Sequence, residues 1–242
     1  MEATQGIFTP EFGFMANQSE INENMRAILI DWLIDVHLKF KLWPETLFLT
    51  INLLDRYAAK NNIKKSQLQL VGVSCMLIAA KYEEIYPPTL KDFTYITNNG
   101  FTSREILQME QKILFAVDFD VKTHSPYRFL ERYSKHAKLD KPAFFFAQYL
   151  LEIGLLDYRT LKYKPAIHAC AAIYISLKLF KDPNPWPAQM VEHTGLSKEE
   201  IKPCAFDMCN LLHKIEASNV KAVFKKFKLP KFCEVSKLAQ SK

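Results

Sequence analysis

The residues with the means for covalent or metal chemistry include six histidines, five cysteines and the adjacent carboxylates Glu83-Glu84. His37, His124, His136, His168, His193 and His213 share no catalytic or ligand spacing. Neither H-E-x-x-H nor G-x-S-x-G occurs. Cys75, Cys170, Cys204, Cys209 and Cys233 contain no C-x-x-C, and their odd number and wide spacing argue against a disulfide framework or a zinc site. They read as reduced thiols of a cytosolic or nuclear protein, mostly small core fillers. On a helix Glu83 and Glu84 diverge by about 100°, a poor acid/base pair. His168, among small residues, reads as a satisfied core histidine rather than a ligand. The six glycines are not spaced for a phosphate-binding loop. No catalytic residue, metal ligand or cofactor is therefore assigned, and the chain reads as a non-enzyme.

Recognition chemistry is easier to find. Met25-Arg-Ala-Ile-Leu-Ile-Asp-Trp-Leu-Ile-Asp-Val36 is too apolar for a surface helix, which needs one stripe somewhat over about 100° wide. Met25, Ile28, Leu29, Trp32 and Val36 form one sector. Ala27, Ile30, Leu33, Ile34 and Leu38 form a second. Either the helix is central and wholly buried, or one sector is an exposed docking patch. Trp32 is a common type of binding anchor, and Asp35, beside Ile28 and Trp32, could receive a cation from a docked peptide. Arg26 falls on the core side and must be paired if buried. Asp55 in Leu53-Leu-Asp-Arg-Tyr57 is the nearest partner, and the pair reads as structural. A second unusual place is Ala79-Ala-Lys-Tyr-Glu-Glu-Ile-Tyr-Pro-Pro88, where an apolar run ends in charge before a proline stop. Lys81 there either complements a helix C-terminus or donates to carbonyls of a partner.

These residues sit in a pattern that is helical almost throughout, with apolar residues recurring at three and four and prolines as punctuation. Helices are expected over 21–41, 44–60, 66–82, a short one from Thr89, and from the capping box Thr102-Ser-Arg-Glu105 to Ala116. Further starts fall at Ser125-Pro126, Lys141-Pro142 (to about Tyr158), Lys164-Pro165 and the capping box Ser197-Lys-Glu-Glu200. The pattern repeats. Val71–Lys81 and His168–Lys178 carry small residues at matching places, Gly72 with Ala169 and Ser74 with Ala171, and their terminal lysines are 97 apart. That implies two copies of a five-helix unit, each with a small-residue helix at its centre. The chain has 242 residues and a net charge of +6, yet 221–242 hold seven lysines and one glutamate. The other 220 residues therefore hold 25 basic and 25 acidic groups. A nucleic-acid binder should carry its excess on a folded face, so the basic stretch reads as a solvated tail. No apolar run reaches about 18 residues, so no membrane span is expected.

Four collinear blocks resemble mitotic cyclins of the A/B type: Met25–Leu33; Leu53–Tyr57; Leu68–Gly72 with Ala79–Pro88; and Leu161–Pro165 with Trp186-Pro187 and Lys202-Pro-Cys204. The resemblance covers roughly 15–230. It implies an all-α fold of two tandem five-helix cyclin boxes, here an N-terminal segment 1–20, boxes over 21–122 and 123–220, and the basic tail 221–242. It implies a regulatory subunit that binds a cyclin-dependent kinase, holds its mobile helix inward and orders its activation loop. By position, Lys81, Tyr82, Glu83, Glu110, Phe119 and Val121 match the kinase-facing surface, with Tyr82 where many A-type members have Phe. Met25, Ile28, Leu29, Trp32, Asp35 and Gln69 match a patch for Arg-x-Leu peptides of substrates or inhibitors, with Asp35 where A-type members have Glu. The family usually carries an Arg-x-x-Leu destruction signal ahead of the boxes. Arg26–Leu29 and Arg104–Leu107 fit that pattern but fall in expected helices. At the positions of a basic phosphate pocket found in some B-type members stand Arg132, Phe144 and Gln148, so only one cation survives. That leans the reading to an A-like or divergent member. Localisation to nucleus and cytoplasm is the family expectation. The competing reading is a cyclin-fold adaptor of the transcription-factor kind, which would not need Lys81 and Glu110 together.

Overall fold

The structure, a computed structural model, describes residues 10 and 12–239. Every regular element among them is helical. The first unit ends at His124 and the second begins at Ser125.

In the first unit α1 spans Glu23–Phe40, α2 Pro44–Lys60, α3 Leu68–Glu83, α4 Leu90–Ile96 and α5 Ser103–Ala116. Local chemistry sets the starts. Asn22 accepts the Met25 N–H at 3.0 Å at the head of α1, Pro44 occupies the first turn of α2, and Thr89 with Asp92 and Thr102 with Glu105 form capping boxes on α4 and α5. Helix α3 packs against all four others. Its small side chains make that possible: a Cβ on Gly72 would lie 3.0 Å from Leu29 Cδ1, so the missing side chain lets α1 settle directly on α3. Ile30, Leu33 and Ile34 of α1 are fully buried.

Arg26 and Asp55 tie α1 to α2. Nε and Nη2 of Arg26 donate to the two carboxylate oxygens at 2.7 Å each, and both side chains are buried. The described part of the N-terminal segment 1–20 packs on the first unit. Phe14 and Met15 are buried. The Gln18 amide donates to the Ala58 and Asn61 carbonyls at 2.7 Å and accepts from the Ile63 N–H at 2.9 Å. Residues 1–9 and 11 of that segment lie outside the described residues, as do 240–242 of the tail.

The second unit repeats the plan. Helix α6 spans Pro126–His136, α7 Lys141–Leu156, α8 Pro165–Leu179, α9 Ala188–Thr194 and α10 Lys198–Ala217. Helix α7 stops two residues short of the expected end, and a 3-10 turn over Tyr158–Lys162 follows. The central helix is α8, packed on α6, α7 and α10, with Ala169, Ala171 and Ala172 fully buried.

The basic stretch is not a solvated tail. Its described part folds into α11 (Ala222–Phe227), a 3-10 turn over Pro230–Phe232, and α12 (Val235–Ala239). Both helices pack on α7, burying Ala222, Val223, Phe227 and Val235. Lys226 is buried with them, its Nζ 2.7 and 2.8 Å from the two oxygens of Glu152. Charge arithmetic placed seven lysines in water because it counts sign and not pairing. A carboxylate 74 positions upstream takes one of them into the core.

Candidate kinase-facing surface and peptide patch

The helix that begins α3's small-residue run also presents its end. After the fully buried Ala79 and Ala80, Lys81 emerges, and its ammonium sits 2.7 and 2.9 Å from the oxygens of Glu110 on α5. The lysine side chain is 48% exposed and the glutamate 11%. Such a pair is held from one side and open on the other. Glu110 fixes the ammonium in place, while Lys81 keeps donors for a carbonyl outside the chain. Tyr82 beside it is exposed, Glu83 half-buried, Phe119 exposed and Val121 half-buried. Phe119 adopts φ +57° just past α5, edge-on to the exposed Phe115 with ring centres 5.2 Å apart. Sequence reasoning missed several neighbours. Ile85 and Tyr86, 81% and 92% exposed, follow α3, and Trp43 precedes α2. The signal for them was a run of large apolar residues in a connection where nothing requires burial.

On α1, Met25 and Trp32 are half-buried, while Ile28 and Asp35 are exposed. Asp35 makes no ion pair among the described residues, leaving its carboxylate open on that side. Gln69, on the first turn of α3, is half-buried. Leu29 differs from its neighbours. It is buried against Gly72, so it forms a floor beneath Met25, Ile28 and Trp32 rather than part of their exposed rim.

Among the described residues, no group of three or more His, Cys, Asp or Glu side chains could hold a metal. No described helix is long and apolar enough to cross a membrane. Burial pushes the Cys170 and Cys204 thiols up to about 12, and Cys75 is raised more strongly still, so these are thiols rather than nucleophilic thiolates. His168 is half-buried rather than a satisfied core histidine. Its buried Nε2 has no hydrogen-bond partner, and desolvation lowers its pKa to about 4. At the three phosphate-pocket positions, Gln148 is buried and donates to Glu152 at 3.1 Å, and Phe144 packs on Tyr127. Arg132 is the only cation of the three.

Two family models match consecutive stretches: the cyclin N-terminal domain over residues 1–122 and the cyclin C-terminal domain over 124–241. The chain belongs to the cyclin family. Among curated relatives, it is 42% identical over 229 residues to a G2/mitotic-specific cyclin-B of Hydra viridissima, covering 95% of this chain and 58% of the relative. It is 40% identical over 231 residues to Cyclin-B1-4 of Arabidopsis thaliana, covering 93% and 59%. It is 38% identical over 224 residues to a G2/mitotic-specific cyclin-B of Dictyostelium discoideum, covering 92% and 51%. The chain thus spans between half and two thirds of the length of these relatives, all of which carry a cyclin-B name. Among solved structures, a viral cyclin from herpesvirus saimiri superposes with a TM-score of 0.73 at 19% identity, covering 100% of this chain and 97% of that one. The yeast RNA polymerase II CTD kinase complex CTDK-1 gives 0.71 at 15% identity, covering 89% and 79%. At those identities the likeness speaks for the cyclin fold alone.

Proposed function

We propose that this cyclin is the regulatory subunit of a cyclin-dependent protein kinase, acting in cell division and performing no catalysis itself. The observation that carries this is the Lys81–Glu110 pair, half open at the end of α3 and flanked by exposed Tyr82, Ile85, Tyr86, Phe115 and Phe119. A fixed ammonium surrounded by apolar side chains suits the end of a partner helix, whose last carbonyls lack intrahelical donors. Binding a kinase in which that helix is turned inward, and not the alternative, shifts the kinase population toward its active arrangement. Glu83 and Val121 border the same surface. The G2/mitotic-specific cyclin-B names of relatives at about 40% identity support the choice of partner and of cell-cycle role.

The patch of Met25, Ile28, Trp32, Asp35 and Gln69 over Leu29 would hold Arg-x-Leu segments of substrates or inhibitors. The leucine would rest among the apolar side chains, and the arginine would meet the open Asp35 carboxylate. Weak docking there raises the local substrate concentration at the kinase. Action in nucleus and cytoplasm fits the free cysteines, none of them in a disulfide.

The test mixes purified chain with an activation-loop-phosphorylated, monomeric cyclin-dependent kinase and follows histone phosphorylation. A large rise, lost when Lys81→Ala and Glu110→Ala are combined, is the expected result. No rise and no complex with any such kinase of the source organism would sink the reading and favour an adaptor.

A further inference from the structure

Trp43 joins α1 to α2 with 62% of its surface exposed, so its indole contributes little to the core. Its backbone is nevertheless fixed on both sides. The Trp43 N–H donates to Glu84 Oε1 at 2.8 Å, and its carbonyl accepts from His37 Nε2 at 3.0 Å. The same Glu84 oxygen accepts from Thr46 Oγ1 at 2.5 Å. Glu84 therefore caps the start of α2 from a distance, where Trp43, the N-cap residue, has no side-chain acceptor of its own. Glu84 is also the residue immediately after α3, three beyond Lys81 and directly before Ile85 and Tyr86. One carboxylate thus joins an exposed tryptophan to the helix end that carries the Lys81 surface.

We propose that Trp43 is an anchor at the rim of the kinase-facing surface, burying its indole against apolar side chains of the kinase, and that Glu84 and His37 are positioning residues for it. This rests on the kinase-binding reading above. Tryptophan is strongly enriched among residues that dominate binding energy, and a backbone already held in place loses little freedom on association. The occupant is the kinase rather than the Arg-x-Leu peptide because of place. Gln69 of the peptide patch and Lys81 lie at opposite ends of α3, about 18 Å apart along the helix axis. Trp43 is hydrogen-bonded to the Lys81 end.

The experiment measures the dissociation constant for the kinase by calorimetry, using wild type, Trp43→Ala, Trp43→Phe, Glu84→Ala and the Lys81→Ala/Glu110→Ala pair. Trp43→Ala should weaken binding by about tenfold or more, with an unchanged melting temperature and unchanged affinity for an Arg-x-Leu peptide. Trp43→Phe should recover part of the loss. Glu84→Ala should weaken binding in the wild type but add little in the Trp43→Ala background, the coupling that a purely structural role would not give. A Trp43→Ala constant within about twofold of wild type, beside a clear loss in the Lys81/Glu110 variant, would overturn the anchor and leave the kinase reading standing. Loss of peptide affinity in Trp43→Ala would overturn the choice of occupant. Absence of any kinase binding by wild type would overturn both.

Discussion

Replacing Lys226 by alanine removes one charge of an ion pair whose side chains are 2% and 0% exposed. Glu152 would be left buried with one remaining donor among the described residues, the Gln148 amide at 3.1 Å. Breaking a fully buried pair on one side costs about 3–5 kcal/mol, because the surviving charge is neither solvated nor paired. The ammonium also lies near the faces of Phe227 and Phe232, with Nζ 5.4 and 5.8 Å from their ring centres, so these cation–ring contacts are lost too. The measurement is urea unfolding followed through Trp186, the tryptophan of the second unit, with Trp32 and Trp43 replaced by phenylalanine. With a slope of about 1–3 kcal/mol per molar, the second unit's midpoint should fall by roughly 1–5 M. Removing both charges with Lys226→Met and Glu152→Leu should recover most of the loss, since an apolar pair of similar volume does about as well as a buried ion pair. A loss below about 1 kcal/mol for Lys226→Ala would mean that the basic stretch is solvated after all. A double variant as weak as the single one would mean that packing, not charge, holds it.

In the first unit, Arg26→Ala should cost about 3–5 kcal/mol by stranding Asp55 at the crossing of α1 and α2, read by thermal and chemical unfolding; a surface-like loss under about 1 kcal/mol would contradict the buried geometry. Stability should decline as pH falls from 6.5 toward about 4, because His168 is held neutral in the fold with its pKa depressed to about 4 while the unfolded chain protonates near 6.5. His168→Leu should flatten that decline, and a proton NMR titration placing His168 near 6.5 would refute it. Trp32→Ala should reduce phosphorylation of Arg-x-Leu substrates more than that of short peptides lacking the motif, whereas equal losses would indicate a folding defect.

The elements were legible because their signals are local. Prolines at the heads of helices, capping boxes and three-four periodicity each act within a turn or two. Even the repeat showed, since Gly72 and Ala169 mark where a neighbour must come close. Arg26 with Asp55 could be paired by reasoning because a buried guanidinium on an apolar face has to find a carboxylate, and few were placed to serve. The same logic failed for Lys226. Its sequence neighbours are lysines, and its partner Glu152 lies in another helix 74 residues away. Leu29 shows a finer limit. Helical angles put it in one sector with Ile28 and Trp32, but angle does not say how deep a side chain sits. Gly72, on a different helix, decides that.

Helix α3 links the two surfaces mechanically. Its early turns lack bulk at Gly72, which seats Leu29 and so sets the height of the Met25, Ile28 and Trp32 rim above it. Its last turn, after Ala79 and Ala80, emerges from the core to place Lys81 against Glu110 and, through Glu84, to hold Trp43. Between these ends the helix is buried on every side, in a close-packed interior that moves as a body rather than bending. A core change in mid-α3 such as Met76→Ala, which opens a cavity at a fully buried position, should therefore disturb kinase affinity and peptide affinity together. Changes at Lys81 or Trp32 should each disturb only one. Measured side by side, a mid-helix variant that moved one affinity alone would show that the two surfaces are supported independently.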